Sequence, residues 1–191
     1  MTGMPDAARD NPAMNSPFRS RTVGASLAVG ALVAGCAPAL DWRDIRPEGS
    51  SAQLQFPCRP TTQRRDVPMA GVRVNLALHA CAAAGLTWGL GVADLGDPAL
   101  VGPALAELSA AAAANLAATP GQALPLRVPG ATPNAASARW RLQGRLPDGR
   151  PVQMQLAVFA QGTQVFQATV LGERVLDETA EAFFHSIRMG S

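Results

Sequence analysis

The chain of 191 residues contains no lysine and no tyrosine, and it has only two histidines, three cysteines and 5% aromatic residues. All 16 basic residues are therefore arginines, and they stand against 14 acidic residues. This near balance predicts no strong electrostatic partner, and nucleic-acid binding, which needs a basic patch, is not expected. We interpret the missing lysine and tyrosine, together with abundant alanine, as the codon bias of a GC-rich genome.

Several catalytic patterns are missing as well. No glycine-rich phosphate loop precedes a helix, no cysteine and histidine spacing suits zinc, and no paired carboxylates stand on a strong framework. Ser186 follows His185 directly, but neighbours on a helix point apart, so a serine triad is not indicated. The sequence therefore indicates no catalytic residue, no metal ligand, no cofactor and no ligand-binding residue, and a hydrolase is the least favoured function.

The most specific pattern present is Leu32-Val33-Ala34-Gly35-Cys36, which closes a short apolar run over residues 23–33. Arg19 and Arg21 precede this run. A charged start, an apolar stretch of about 7–15 residues and a small-residue cleavage site are typical of secretory signals. Met14 stands just before the charged start and is a second candidate for the true first residue.

This segment resembles the processing box of bacterial lipoproteins. The resemblance implies that residues 1–35 form a leader that is removed, and that Cys36 then carries a diacylglyceryl group on its thiol and a third acyl chain on its amine. Ala37 is not the aspartate linked to inner-membrane retention, so we expect the periplasmic face of the outer membrane, with the inner membrane as the alternative. An uncleaved anchor and cleavage without lipid are further alternatives.

The other two cysteines, Cys58 and Cys81, are predicted to form a structural disulfide. Export would place them in an oxidising compartment, where a pair is normally bridged. A redox or metal pair is less favoured, because the spacing is not C-x-x-C and histidines are scarce. If Val67 pairs with Val72 across the turn between them, Cys58 faces Cys81 and Asp66 faces Arg73.

Hydrophobic periodicity predicts an α+β fold. Alternating apolar residues indicate strands, and 3.6-residue spacing after Asp97 and after Asp177 indicates two helices, with these aspartates as N-caps. We expect an antiparallel sheet of about six strands with two helices packed against it, in an α/β/α-like sandwich. Leu142 is placed opposite Met154 in a hairpin. The predicted strands cover residues 52–56, 72–80, 86–92, 138–142, 152–158 and 163–171.

The predicted organisation is a leader over 1–35, a lipidated tether over 36–50 and one domain over 51–191. Residues 119–137, rich in proline and glycine, are expected to form a loop and are the segment most suspected of contacting a ligand or partner. Trp42 is expected to pin the tether to the domain. His79 and the stripe of Arg139, Arg141 and Arg145 are expected to be solvated.

The domain also resembles the PsbP-like fold group. The resemblance is carried by the strand that ends in Phe56-Pro57, by the three-strand meander after the first helix, and by the closing helix with Phe183-Phe184. It implies a binding or assembly module. We therefore expect a non-catalytic lipoprotein, attached to a membrane through Cys36, that binds an envelope protein. The alternative is a carrier of a small ligand or lipid, with an apolar pocket between sheet and helix.

Overall fold

A computed structural model describes residues 40–118 and 121–190. The predicted leader, the alternative start Met14 and the lipidation site Cys36 lie outside the described residues. The compact unit to which the described residues belong runs from Ala37 to Ser191. It is built from ten strands and two helices among those residues, so the predicted α+β class is confirmed.

The main sheet is antiparallel and has seven strands in the order β3-β4-β5-β9-β8-β7-β6. The prediction of about six strands was wrong, because the predicted strand over residues 52–56 lies in a second sheet, and β3 and β6 complete the main one. β6 lies inside the segment expected to be a loop, where it pairs with β7. The seven strands are β3 (Thr61–Met69), β4 (Val72–Ala83), β5 (Leu86–Asp94), β6 (Gln122–Leu124), β7 (Ala138–Arg145), β8 (Pro151–Gln161) and β9 (Gln164–Gly172).

A second, three-stranded sheet joins the two ends of the described chain. Strand β2 (Ala52–Phe56) lies in the middle, with β1 (Arg43–Ile45) on one side and β10 (Arg188–Met189) on the other, both antiparallel to it. In β2 the alternate residues Ala52, Leu54 and Phe56 are at most 2% exposed. Its period-2 pattern was therefore a valid strand signal.

The two helices are α1 (Val101–Asn115) and α2 (Asp177–Ser186). Asp97 accepts a hydrogen bond from the Ala99 amide at 2.8 Å, so it caps the short 3-10 turn that leads into α1, as predicted. The prediction that Asp177 caps α2 was wrong, since Leu176 holds the cap position and Asp177 is the first helical residue. Neither helix of the described residues is long and apolar enough to cross a membrane.

The core consists of two apolar clusters on opposite faces of the main sheet. One cluster contains Trp88, Phe166 and Phe183 and includes the buried residues of α2, β2 and β10. The other contains Leu105 and Leu156 and includes the buried residues of α1. Since both faces are covered, five consecutive β8 residues, Leu156, Ala157, Val158, Phe159 and Ala160, are at most 1% exposed.

The register of the β7–β8 hairpin is as predicted, with Leu142 opposite Met154 and Gly149 in the left-handed region at φ 85°. The register predicted for β3–β4 was wrong by two residues, because Met69, not Val67, pairs with Val72. Ala70 and Gly71 form the turn with φ angles of 50° and 81°. Two successive positive φ angles suit a two-residue hairpin turn, whose twist matches that of the strands.

Candidate functional site

Backbone hydrogen bonds join the described chain to the rest of the domain from its first residues. The Asp41 amide donates to the Pro57 carbonyl at 2.9 Å, and β1 then pairs with β2, with Arg43 opposite Phe56. Trp42 packs against Trp88, as expected of a residue that pins this segment. Asp41, the first described residue with a backbone hydrogen bond to the domain, stands five positions after Cys36.

The predicted disulfide between Cys58 and Cys81 is present, with Cα atoms 6.0 Å apart. The reasoning from direct strand opposition was wrong, because the β3–β4 ladder ends at the pair Thr61 and Ala80, before it reaches either cysteine. The irregular segment that contains Cys58 brings its sulfur to the end of the ladder. Because the register differs from the predicted one by two residues, Asp66 faces Asn75 and not Arg73, and the Asn75 side-chain amide donates to it at 2.9 Å.

Next to the disulfide lies a polar depression that we call the His79 pocket. It has a volume of about 520 Å³. The β1–β2 connection forms one wall, and the start of β3 and the middle of β4 form the others. It is lined by Ile45, Arg46, Pro47, Glu48, Arg59, Pro60, Thr62, Arg64 and His79. The sequence alone did not reveal this pocket, because its residues come from three separate segments.

His79 is 5% exposed, so the expectation of a solvated histidine was wrong. It lies on the sheet face that the small sheet and α2 cover, while the half-buried Leu76 and Leu78 lie on the α1 face. Its Nδ1 is 2.8 Å from the hydroxyl oxygen of Thr62. Burial, and to a smaller extent the Arg64 guanidinium, lowers the pKa of His79 below the ordinary 6.5, so the imidazole is neutral at neutral pH.

A second polar site, the Arg139 network, lies under α2. The Arg139 guanidinium is 4% exposed and donates to Glu181 at 3.0 Å and to the buried Gln155 at 2.6 Å. It also lies 4.1 Å from the centre of the Phe184 ring. The Gln155 amide donates in turn to Asp177 at 2.9 Å, which also pairs with Arg141. Arg139 is the buried member of its pair with the 37% exposed Glu181, and its hydrogen bonds join α2 to the sheet.

The network corrects the expectation that Arg139 is solvated, and Arg141 is only 26% exposed, whereas Arg145 is exposed as expected. Arg139 and Arg141 point toward α2 and pair with its carboxylates, and Arg145 donates to the Gly149 carbonyl at 2.9 Å. A signal was present in the sequence. The phenylalanines of α2 require a surface of the sheet to cover, and the face that α2 covers is the one to which the arginines of β7 point.

A small cavity of about 190 Å³ borders the Arg139 network. The loop after β6 closes it on one side and α2 on the other. Its lining is mostly apolar, and its polar residues are Arg127, Arg139, Glu181 and His185. The loop expected to contact a ligand therefore borders a cavity, but much of it covers the core, where Leu126 and Val128 pack.

His185 and Ser186 do not form a catalytic pair. The His185 side chain is 70% exposed and lies 3.1 Å from Glu181. The Ser186 hydroxyl donates to the Phe183 carbonyl at 2.7 Å and accepts from the Gln55 amide at 2.9 Å. Ser186 thus joins the end of α2 to β2, and its hydroxyl is occupied by that role.

Across residues 40–118 and 121–190, no three side chains of histidine, cysteine, aspartate or glutamate meet in an arrangement that could hold a metal ion. Two polar sites therefore stand out, the His79 pocket and the Arg139 network. The search for relatives adds no family to this geometry: no protein-family model matches the chain, and no curated protein matches it significantly.

Proposed function

We propose that this protein is a bacterial lipoprotein, attached through Cys36 to the periplasmic face of the outer membrane, where it binds an envelope protein without catalysing a reaction. One observation supports the proposal most: the chain is bonded to the domain from Asp41 onward. Five residues from Cys36 to Asp41 span at most roughly 18 Å, because an extended chain covers about 3.6 Å per residue. A lipid on Cys36 would hold the domain against the bilayer.

Attachment of this kind suits a partner in the same envelope. A single acyl chain binds a membrane only marginally, whereas additional chains make attachment stable. The expected resemblance to the PsbP-like fold group, whose members are mostly binding or assembly modules, favours the same role. The inner membrane is the alternative location.

The carrier of a small ligand or lipid is the second candidate, and the cavity beside α2 is the observation that favours it. Its volume of about 190 Å³ is below the roughly 300–1,000 Å³ of pockets that enclose drug-sized ligands. An acyl chain would need α2 or the neighbouring loop to move. Partner binding is therefore the better supported function.

The anchor is tested by expressing the full chain in a Gram-negative bacterium with an alkyne-labelled fatty acid. We expect a labelled product whose first residue by mass spectrometry is Cys36, and a Cys36→Ser variant without label. A native product with a free thiol at Cys36 and an intact leader would overturn the proposal. Separation of the two membranes by density then distinguishes outer from inner membrane.

Partner binding is tested by cross-linking in intact cells, followed by purification of the chain and identification of the attached proteins. We expect one envelope protein to be enriched with the wild-type chain and lost with Cys36→Ser, which cannot be lipidated; circular dichroism checks that the variant is folded. A chain that stays uncross-linked in the membrane would contradict the proposed role while leaving the anchor intact.

A further inference from the structure

The His79 pocket concentrates positive charge. Three arginines and one glutamate in its lining give a formal charge of +2, as large as the net charge of the whole chain. Arg64 pairs with Glu48 at 3.3 Å, but the Glu48 side chain is 92% exposed and so neutralises little. Among the residues described, neither Arg46 nor Arg59 forms a salt bridge.

The floor of the pocket adds oriented polar atoms to this charge. The Thr62 hydroxyl oxygen lies 2.8 Å from His79 Nδ1, and this hydrogen bond fixes the imidazole ring. His79 is buried on a regular strand next to the disulfide, so its position is rigid. The exposed guanidinium groups of Arg46, Arg59 and Arg64 thus surround a buried neutral ring, an arrangement that suits an oxyanion with several acceptor oxygens.

We infer that the His79 pocket binds a phosphate group, held by Arg46, Arg59 and Arg64 and contacted by His79. Guanidinium groups donate two parallel hydrogen bonds to phosphate, and such charge-assisted bonds are the strong ones. A carboxylate offers two acceptor oxygens, whereas a phosphate monoester offers three unesterified ones, which matches the number of arginines in the lining. The volume of about 520 Å³ leaves room for an ester substituent beside the phosphate.

The phosphate has two sources that share this chemistry, a lipid headgroup and a soluble phosphate. A lipid headgroup is within reach of the pocket if Cys36 is acylated. The choice of a headgroup as the source therefore rests on the proposed function, whereas phosphate binding itself does not. Arg59 stands two residues after Pro57, whose carbonyl accepts the hydrogen bond from Asp41. The pocket therefore opens near the end of the domain to which the anchor is joined.

The two histidines make a direct test by NMR. The full chain, with its histidines labelled with ¹⁵N, is held in a neutral maltoside detergent and titrated with inorganic phosphate at constant ionic strength. We expect the imidazole signals of His79 to shift while those of exposed His185 stay. An Arg46→Gln/Arg59→Gln variant raises the Kd about tenfold or more for each arginine removed. The matched Arg65→Gln/Arg73→Gln variant, with the same loss of charge on the β3–β4 hairpin, leaves the Kd unchanged.

The source is resolved in nanodiscs of phosphatidylglycerol or of digalactosyldiacylglycerol, which has no phosphate. A His79 shift in the first lipid alone, abolished by Arg46→Gln/Arg59→Gln, supports the headgroup. A shift with inorganic phosphate and in neither lipid supports a soluble phosphate. If His79 is unmoved by all of them in a folded protein, or if the matched variant loses binding equally, the inference is overturned. Inorganic phosphate binding does not require acylation, so its failure is separate from failure of the anchor.

Discussion

The indole ring of Trp42 meets that of Trp88 edge to face, with ring centroids 5.9 Å apart. Trp88 is fully buried, and its other side meets Phe183 of α2 at 5.5 Å. The first strand of the described chain is therefore held by an aromatic cluster that also holds the last helix. Edge-to-face pairs of this kind add to the stabilisation from burial.

Replacement of Trp42 with alanine tests this attachment. Because the ring is half-buried, we expect Trp42→Ala to lower the free energy of unfolding by about 2 kcal/mol. Urea denaturation followed by circular dichroism measures the change. Trp42→Phe keeps an aromatic edge and loses less. Equal stability of Trp42→Ala and wild type would show that the Trp42 ring contributes nothing to the attachment.

Removal of the disulfide should destabilise the domain. The bridge closes a loop across 23 positions, and a loop of this length restricts the unfolded chain enough to contribute about 3 kcal/mol. We expect Cys58→Ala/Cys81→Ala to lose this amount in chemical denaturation. Addition of a reductant should destabilise the wild type to the same degree and leave the double variant unchanged. A reductant effect on the double variant would assign the loss to another cause.

The Arg139 network should show strong coupling in a double-mutant cycle. Glu181→Ala leaves a guanidinium that is 4% exposed without its carboxylate, and we expect a loss of about 3 kcal/mol. Arg139→Met/Glu181→Ala removes the buried charge as well and should lose less than the two single variants together. The exposed Arg150–Asp148 pair is the control, and Asp148→Ala should change stability far less. Additive losses would contradict the coupling.

The burial of His79 predicts a dependence of stability on pH. Its pKa is lowered in the folded state, so below about pH 6.5 the unfolded chain takes up a proton that the folded protein does not. The free energy of unfolding should therefore fall as the pH is lowered from 7 toward 5.5. The pKa of Asp94 is also lowered, chiefly by the hydrogen bond from Thr163, but it acts in a more acidic range.

Unfolding midpoints across this range in His79→Gln and His185→Gln check the assignment. His79→Gln should remove the slope, since glutamine does not titrate. His185→Gln should retain it, because the His185 side chain is 70% exposed. A slope that survives His79→Gln would locate the titrating group elsewhere.

The elements that the sequence predicted well are those whose period reflects one local environment. The period-2 pattern of β2, the β7–β8 hairpin and the Asp97 cap are each visible in residues that are close together in the chain, and each is found where expected. β6 was missed because three residues surrounded by prolines and glycines carry no period. The β3–β4 register was missed because the turn was placed at four residues, Pro68-Met69-Ala70-Gly71, when two suffice.

The polar sites were less predictable for a physical reason. Arginines that alternate along β7 have the pattern of a solvated face, and only the packing of α2 on that face makes Arg139 buried. Similarly, Arg46, Arg59 and His79 are far apart in the chain, and the small sheet brings them together. Periodicity reports whether a residue is polar, but not whether another element will cover it.

The three-stranded sheet has a consequence for the order in which the molecule is made. β2 lies near the start of the described chain, yet one of its two neighbours, β10, ends one residue before the last described residue. During synthesis or export, Gln53 therefore cannot pair with Arg188 until that residue has emerged. A nascent chain arrested before Arg188 would present an unpaired edge of β2 to holdase chaperones.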